Sequence, residues 1–174
     1  RLFRALTSSA PSGGRAPSTG HKEPTMTIER SPLPWTVCDA TDPAARLLAD
    51  RHYSRQKPGS ARFVPPGRCL VLKAIDAAGV CRAVWATSWP FAEYTRHDWA
   101  GAWICSIFRN EGAGLSSALI RQAVGHTLWK YPRPPALGMI TFVRRESVKA
   151  RKGRRAWGWC YQKAGFEPCG YTKG

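Results

Sequence analysis

The sequence predicts a mixed α+β domain: helices flank a central, mostly antiparallel sheet whose final strand is cut short at Gly174. Three observations lead there. Apolar stretches of strand length alternate with stretches of helical period. Ala77-Ala78-Gly79 joins two of the strand-like stretches as a hairpin loop. The apolar run Ala102 to Phe108 passes into a glycine-bearing turn, and the turn opens a helix. With 174 residues, 43% of them hydrophobic, the chain is long enough for one domain with a real core.

Residues 1–25 are rich in Ser, Pro, Gly, Arg and Ala without a periodic apolar pattern, and they read as a disordered segment outside the native domain. Met26-Thr27-Ile28 reads as a native start, so a single domain is expected over 26–174. Leu2, Phe3, Ala5 and Leu6 make too short an amphipathic stretch to support a transit peptide. Thr41-Asp42-Pro43 starts a helix, with Thr41 or Asp42 as cap and Pro43 at the first helical position, and it runs to about His52. Ser54 to Ser60 is a polar loop. Cys69 to Asp76 and Val80 to Trp89 are the hairpin strands, followed by an aromatic-rich connection from Pro90 to Gly101. Leu115, Leu119 and Ala123 give the next helix its apolar stripe. Tyr131-Pro132-Arg133-Pro134-Pro135 breaks the chain, and Leu137 to Val143 is another strand. A short helix spans about Trp159 to Ala164, Gly165 ends it, and Phe166 begins the last strand.

The organising turn is Arg109-Asn110-Glu111-Gly112-Ala113-Gly114. Glycines lack a Cβ, so the backbone can turn sharply and come close to a ligand. The first N–H groups of the helix have no intrahelical partner, and with the helix dipole behind them they suit a phosphate or pyrophosphate. Arg109 is expected to add a fixed positive charge there, and Ser116 and Ser117 to bond phosphate oxygens. The alternative is a structural turn without a ligand.

Arg-x-x-Gly-x-Gly resembles the pyrophosphate loop of the GNAT superfamily, the acyl-CoA-dependent N-acyltransferases, and the order of elements is similar to that superfamily's. Tyr161-Gln162-Lys163-Ala164-Gly165-Phe166, about 50 residues further on, resembles its closing Tyr-x-x-x-Gly-Phe helix. The resemblance implies an acetyl-CoA or related acyl-CoA donor held by Arg109, Asn110, Glu111, Gly112, Ala113, Gly114 and Ser116. It also implies that Tyr161 can protonate the departing thiolate. His52-Tyr53, Phe-Arg-Asn-Glu-Gly, Thr141-Phe142-Val143 and the Tyr161 to Phe166 helix together resemble one branch, the Mom family of phage and prophage DNA-modification proteins. That branch modifies the exocyclic amine of adenine in double-stranded DNA and so blocks restriction. Its His-Tyr pair, here His52 and Tyr53, is implicated in the active site, and a bound iron has been part of that picture. The carboxylate expected just after Thr-Phe-Val is replaced here by Arg144-Arg145, with Glu146 next, so no metal site is assigned.

Charge points the same way independently. The net charge is +16, which suggests a polyanionic partner, nucleic acid before an anionic membrane. Arg144, Arg145, Lys149, Arg151, Lys152, Arg154 and Arg155 lie within twelve residues, and Trp157 and Trp159 follow. Basic residues beside aromatics suit a phosphate backbone and an unstacked base, though such a run also serves as a solvated loop or answers the phosphates of CoA. No run of 18 apolar residues exists, so no membrane span is expected, and the reading is a cytoplasmic protein of a bacterial or phage-infected cell. The six cysteines show no Cys-x-x-Cys pair, which argues against a zinc site or a disulfide framework.

An exocyclic adenine nitrogen is a poor nucleophile because its lone pair is delocalised into the ring. It is out of reach in a duplex unless the base is flipped out. His52, with an unperturbed pKa near ~6.5, is the general-base candidate. Three readings follow. One is a Mom-type DNA-modifying acyltransferase. The second is a general N-acetyltransferase acting on a protein or small-molecule amine. The third is a DNA-binding module on a GNAT scaffold without activity.

Overall fold

A computed structural model of the chain describes residues 2–5, 32–90, 98–144 and 157–171. Among them the order of elements is β1 (Leu2–Ala5), β2 (Thr36–Cys38), α1 (Pro43–Ala49), β3 (Gly67–Ile75), β4 (Cys81–Pro90), β5 (Trp103–Asn110), α2 (Ser116–Lys130), β6 (Met139–Phe142), α3 (Trp159–Lys163) and β7 (Glu167–Gly170). The strands form one sheet in the order β2-β3-β4-β5-β6-β1-β7. Every neighbouring pair is antiparallel except β5 and β6, so the mixed, mostly antiparallel plan holds.

Side-chain alternation along β3 and β4 builds two cores. Leu70, Leu72, Ala74 and Trp85 face α2 and join Leu119, Ile120 and Ala123 there. Val71, Val84 and Ala86 face α1 and join Ala45, Leu48 and Ala49. The expected helix start is present: the Asp42 side chain accepts from Ala45 N at 2.9 Å, with Pro43 at the first turn. Leu115 departs from the expected stripe. It precedes the helix with an extended backbone and is 56% exposed.

The first strand is the main correction. Residues 1–25 read as disorder, yet Leu2–Ala5 is an inner strand between β6 and β7, with Phe3 fully buried. Its alternation is too short to register as a periodic signal. Leu2 pairs with Gly170, so the strand that begins after Phe166 has β1, at the start of the chain, as its inner neighbour. Gly158 shows how closely this strand packs. A Cβ there would lie 2.2 Å from the Phe3 ring, and the backbone has a φ of +76°.

Candidate active site

β5 and β6 pair only from Trp103↔Met139 to Cys105↔Thr141. Beyond that point they part, and the parting coincides with a bulge. Ala86 faces Ile107 while Thr87 faces Cys105, so Ser106 is the extra residue. The bulge puts Cys105 in the core on the α2 side and Ile107 in the core on the α1 side. Two strands that separate leave main-chain groups without ladder partners, and these must be satisfied some other way.

The segment after α1 satisfies them. Ser54 Oγ donates to Ser106 O at 3.0 Å and Tyr53 Oη donates to Phe142 O at 2.6 Å. The two carbonyls on either side of the fork are therefore capped by consecutive hydroxyls. His52 precedes them. Its ring lies 4.2 Å from that of Tyr53, centroid to centroid, and its Nδ1 is 2.7 Å from Ser54 Oγ. A carbonyl has no hydrogen to give, so Ser54 gives its proton to Ser106 O and accepts one from His52 Nδ1–H. That assignment rests on the hydrogen-bond network and overrides the longer 3.3 Å approach of Ser54 N to Nδ1. It leaves the lone pair on Nε2.

The segment is fixed from below. Asp50 receives Arg55 Nε at 2.6 Å and Gly59 N at 2.9 Å, and Arg55 also donates to Ser60 O at 2.8 Å. Arg109 ties the other side, donating to Arg51 O at 2.7 Å and to Glu111 at 2.5 Å. Arg51 grips the same Glu111 carboxylate with two bonds of 3.0 and 2.7 Å. Hydrogen bonding from Arg51, opposed by some burial and reinforced by Arg109, holds the Glu111 carboxyl below its ordinary range.

Burial, together with the nearby Arg109 guanidinium, pushes His52 down to about 4. The sequence suggested a base near its unperturbed value; the folded imidazole is instead firmly neutral at physiological pH. Burial raises Tyr53 to about 12, with the Cys105 thiol adding to it. Tyr161 lies beneath the fork, enclosed by Phe3, Phe108 and Phe166, with its hydroxyl 3.6 Å from Cys105 Sγ. Burial pushes its phenol well above the usual value, so it stays protonated.

The turn differs from expectation. Asn110 Oδ1 accepts from Gly112 N at 3.1 Å and Ala113 N at 2.9 Å, while Asn110 Nδ2 donates to Gly114 O and Ser116 Oγ. Pro32 sits against Gly114, where a Cβ would lie 2.7 Å from the Pro32 Cα. Arg109 points to the end of α1 instead of over the turn, and Glu111 brings a carboxylate to its flank. Two of the turn's N–H donors, those of Gly112 and Ala113, are thus taken by the side chain of its own Asn110. Ser117 is buried in the helix start.

Of the basic run, Arg144 is described and exposed, its guanidinium 5.9 Å from the Tyr53 ring centre. Arg145, Glu146, Lys149, Arg151, Lys152, Arg154 and Arg155 lie outside the described residues. Trp157 packs against the core with its ring 6.4 Å from that of Tyr171, so its position is that of a packing residue rather than a free stacking platform. Among the described residues no three His, Cys, Asp or Glu side chains gather as a metal site, and no helix is long and apolar enough to cross a membrane.

Sequence reasoning missed Ser54, Ser106, Arg51 and the Asp50–Arg55 clamp. The residues Ser54-Arg55-Gln56 follow His52-Tyr53 directly, but nothing in their spacing indicates which strand they cap. No protein-family model, curated protein or solved structure matches the chain.

Proposed function

We propose that this protein is a group transferase of the Mom type that modifies the exocyclic amine of adenine in DNA, with its reaction centre at the mouth of the β5/β6 fork. The observation that carries the reading is the placement of His52, Tyr53 and Ser54: two consecutive hydroxyls cap the carbonyls on both sides of the fork and fix the imidazole beside them. The net charge of +16, with Arg144 on the Tyr53 ring, supports a polyanionic substrate at the same place. These features favour the DNA reading over a small-molecule amine.

The step asked of the protein joins the amine nitrogen to the acyl carbon of a thioester donor as that carbon's bond to sulfur breaks. The thiolate departs, and the nitrogen gives up one proton, which ends on the departing thiolate. His52 Nε2 is that proton's first acceptor. An imidazole with so low a pKa takes the proton late, after the new bond has made the nitrogen acidic. Tyr53, held protonated, positions the β6 main chain and remains a hydrogen-bond donor. No step is assigned to a CoA pyrophosphate, because Asn110 holds two of the turn's N–H donors.

The test is nucleoside mass spectrometry on plasmid DNA from cells expressing the full chain, its His52→Ala form and its Tyr53→Phe form. A new adenine mass that is present with the wild type, lost in the first variant and reduced in the second is the expected result. An unchanged adenine profile in cells that accumulate folded protein overturns the reading.

A further inference from the structure

On the α1 side of the fork lies a cleft of about 690 Å³ whose position the sequence did not indicate. Its floor and wall are apolar, built from Phe63, Pro65, Ile104 and Phe142, and Lys57 and Arg62 stand on its rim. Among the described residues no acidic side chain lines it, and neither rim cation forms an ion pair with a described residue. Ser54 and Ser106 belong to the same lining, so the cleft opens directly onto the hydrogen-bonded chain that ends at His52. Its outer wall is rigid, since the loop that bears Lys57 is clamped by Asp50 and Arg55, whose side chains are only 17% and 8% exposed.

We infer that this cleft is the socket for a nucleotide turned out of the DNA stack, with the base on the apolar floor and the flanking phosphates on Lys57 and Arg62. The inference rests on the transferase reading and adds to it where the acceptor sits and what holds it. The volume falls in the ~300–1,000 Å³ range of small-molecule sites. A base offers apolar faces and its phosphates offer charge, which is the pairing of floor and rim.

The test is fluorescence anisotropy with a labelled duplex, either fully paired or carrying one A·C mismatch, at several salt concentrations. Wild type is compared with Lys57→Ala/Arg62→Ala, with Pro65→Trp to fill the cleft, and with Arg121→Ala/Lys163→Ala in the opposite helix layer. Thermal melts confirm that each variant folds. Wild type is expected to prefer the mismatched duplex several-fold, because an unpaired base costs less to extrude. Pro65→Trp removes that preference while keeping affinity for the paired duplex. The rim double variant lowers the slope of log affinity against log salt by about 2, at ~0.9 per phosphate contact, and the opposite-layer variant lowers it less. A rim variant with the wild-type slope, or a Pro65→Trp protein that still prefers the mismatch, overturns the socket. A modified adenine that persists undiminished in Pro65→Trp overturns the socket alone. Absence of DNA binding by wild type, together with absence of the modified adenine, overturns the transferase reading as well.

Discussion

Tyr53 Oη donates a 2.6 Å hydrogen bond to Phe142 O, the first carbonyl of β6 beyond its last pair with β5. The phenol does for this carbonyl what the missing ladder would have done. Tyr53→Phe removes this hydrogen bond, at a cost of about 0.5–1.5 kcal/mol. The expected outcome is a lower melting temperature and at least tenfold less modified adenine, read by calorimetry and nucleoside mass spectrometry on the same preparation.

His52 makes stability depend on pH. Its folded pKa of about 4 lies below the unfolded value, so the unfolded chain takes up a proton first as the solution is acidified. The contribution, roughly 3 kcal/mol, is fully present above pH ~6.5 and is lost as pH falls towards 4. Urea denaturation at pH 7 and pH 4.5 should show this loss in wild type and much less of it in His52→Gln. Nitrogen-15 NMR at pH 7 should find the proton on Nδ1, and a proton on Nε2 would remove the acceptor assigned here.

Arg109 serves the end of α1, and its removal should be felt at His52. Arg109→Ala takes away a positive neighbour, so the His52 pKa is expected to rise, measured by following the imidazole signals against pH. The same variant should leave any affinity for acetyl-CoA unchanged, since its guanidinium is turned away from the Gly112–Gly114 turn. A tenfold loss of acetyl-CoA affinity would restore the pyrophosphate role of that turn.

Phe3 anchors the first strand under Tyr161, with ring centres 6.3 Å apart. Phe3→Ala empties a fully buried site and should cost roughly 3–5 kcal/mol. Gly158→Ala pushes a methyl group into the same ring and strains a left-handed backbone position. Both are expected to lower the melting temperature by several degrees, whereas Leu115→Ala, at an exposed site, should not.

Local chemistry was legible in the sequence. Asp42-Pro43 announced α1, Ala77-Ala78-Gly79 closed a hairpin, and the glycines after Asn110 marked the turn that opens α2. These features depend on residues a few positions apart, so periodicity and capping reveal them. The His52-Tyr53 pair stood out in the sequence too, though not its charge state, because burial and the Arg109 neighbour exist only in the folded chain. Tertiary structure decided the rest. Leu2–Ala5 has the length and look of a frayed terminus, and it becomes an inner strand only because β6 and β7 leave a gap of its width between them. Asn110 could have faced a ligand, and it closes the turn because two backbone N–H groups lie within its reach. Ser54 meets Ser106, 52 positions away, only where the bulge and the parting strands expose a carbonyl, and no spacing along the chain encodes that meeting.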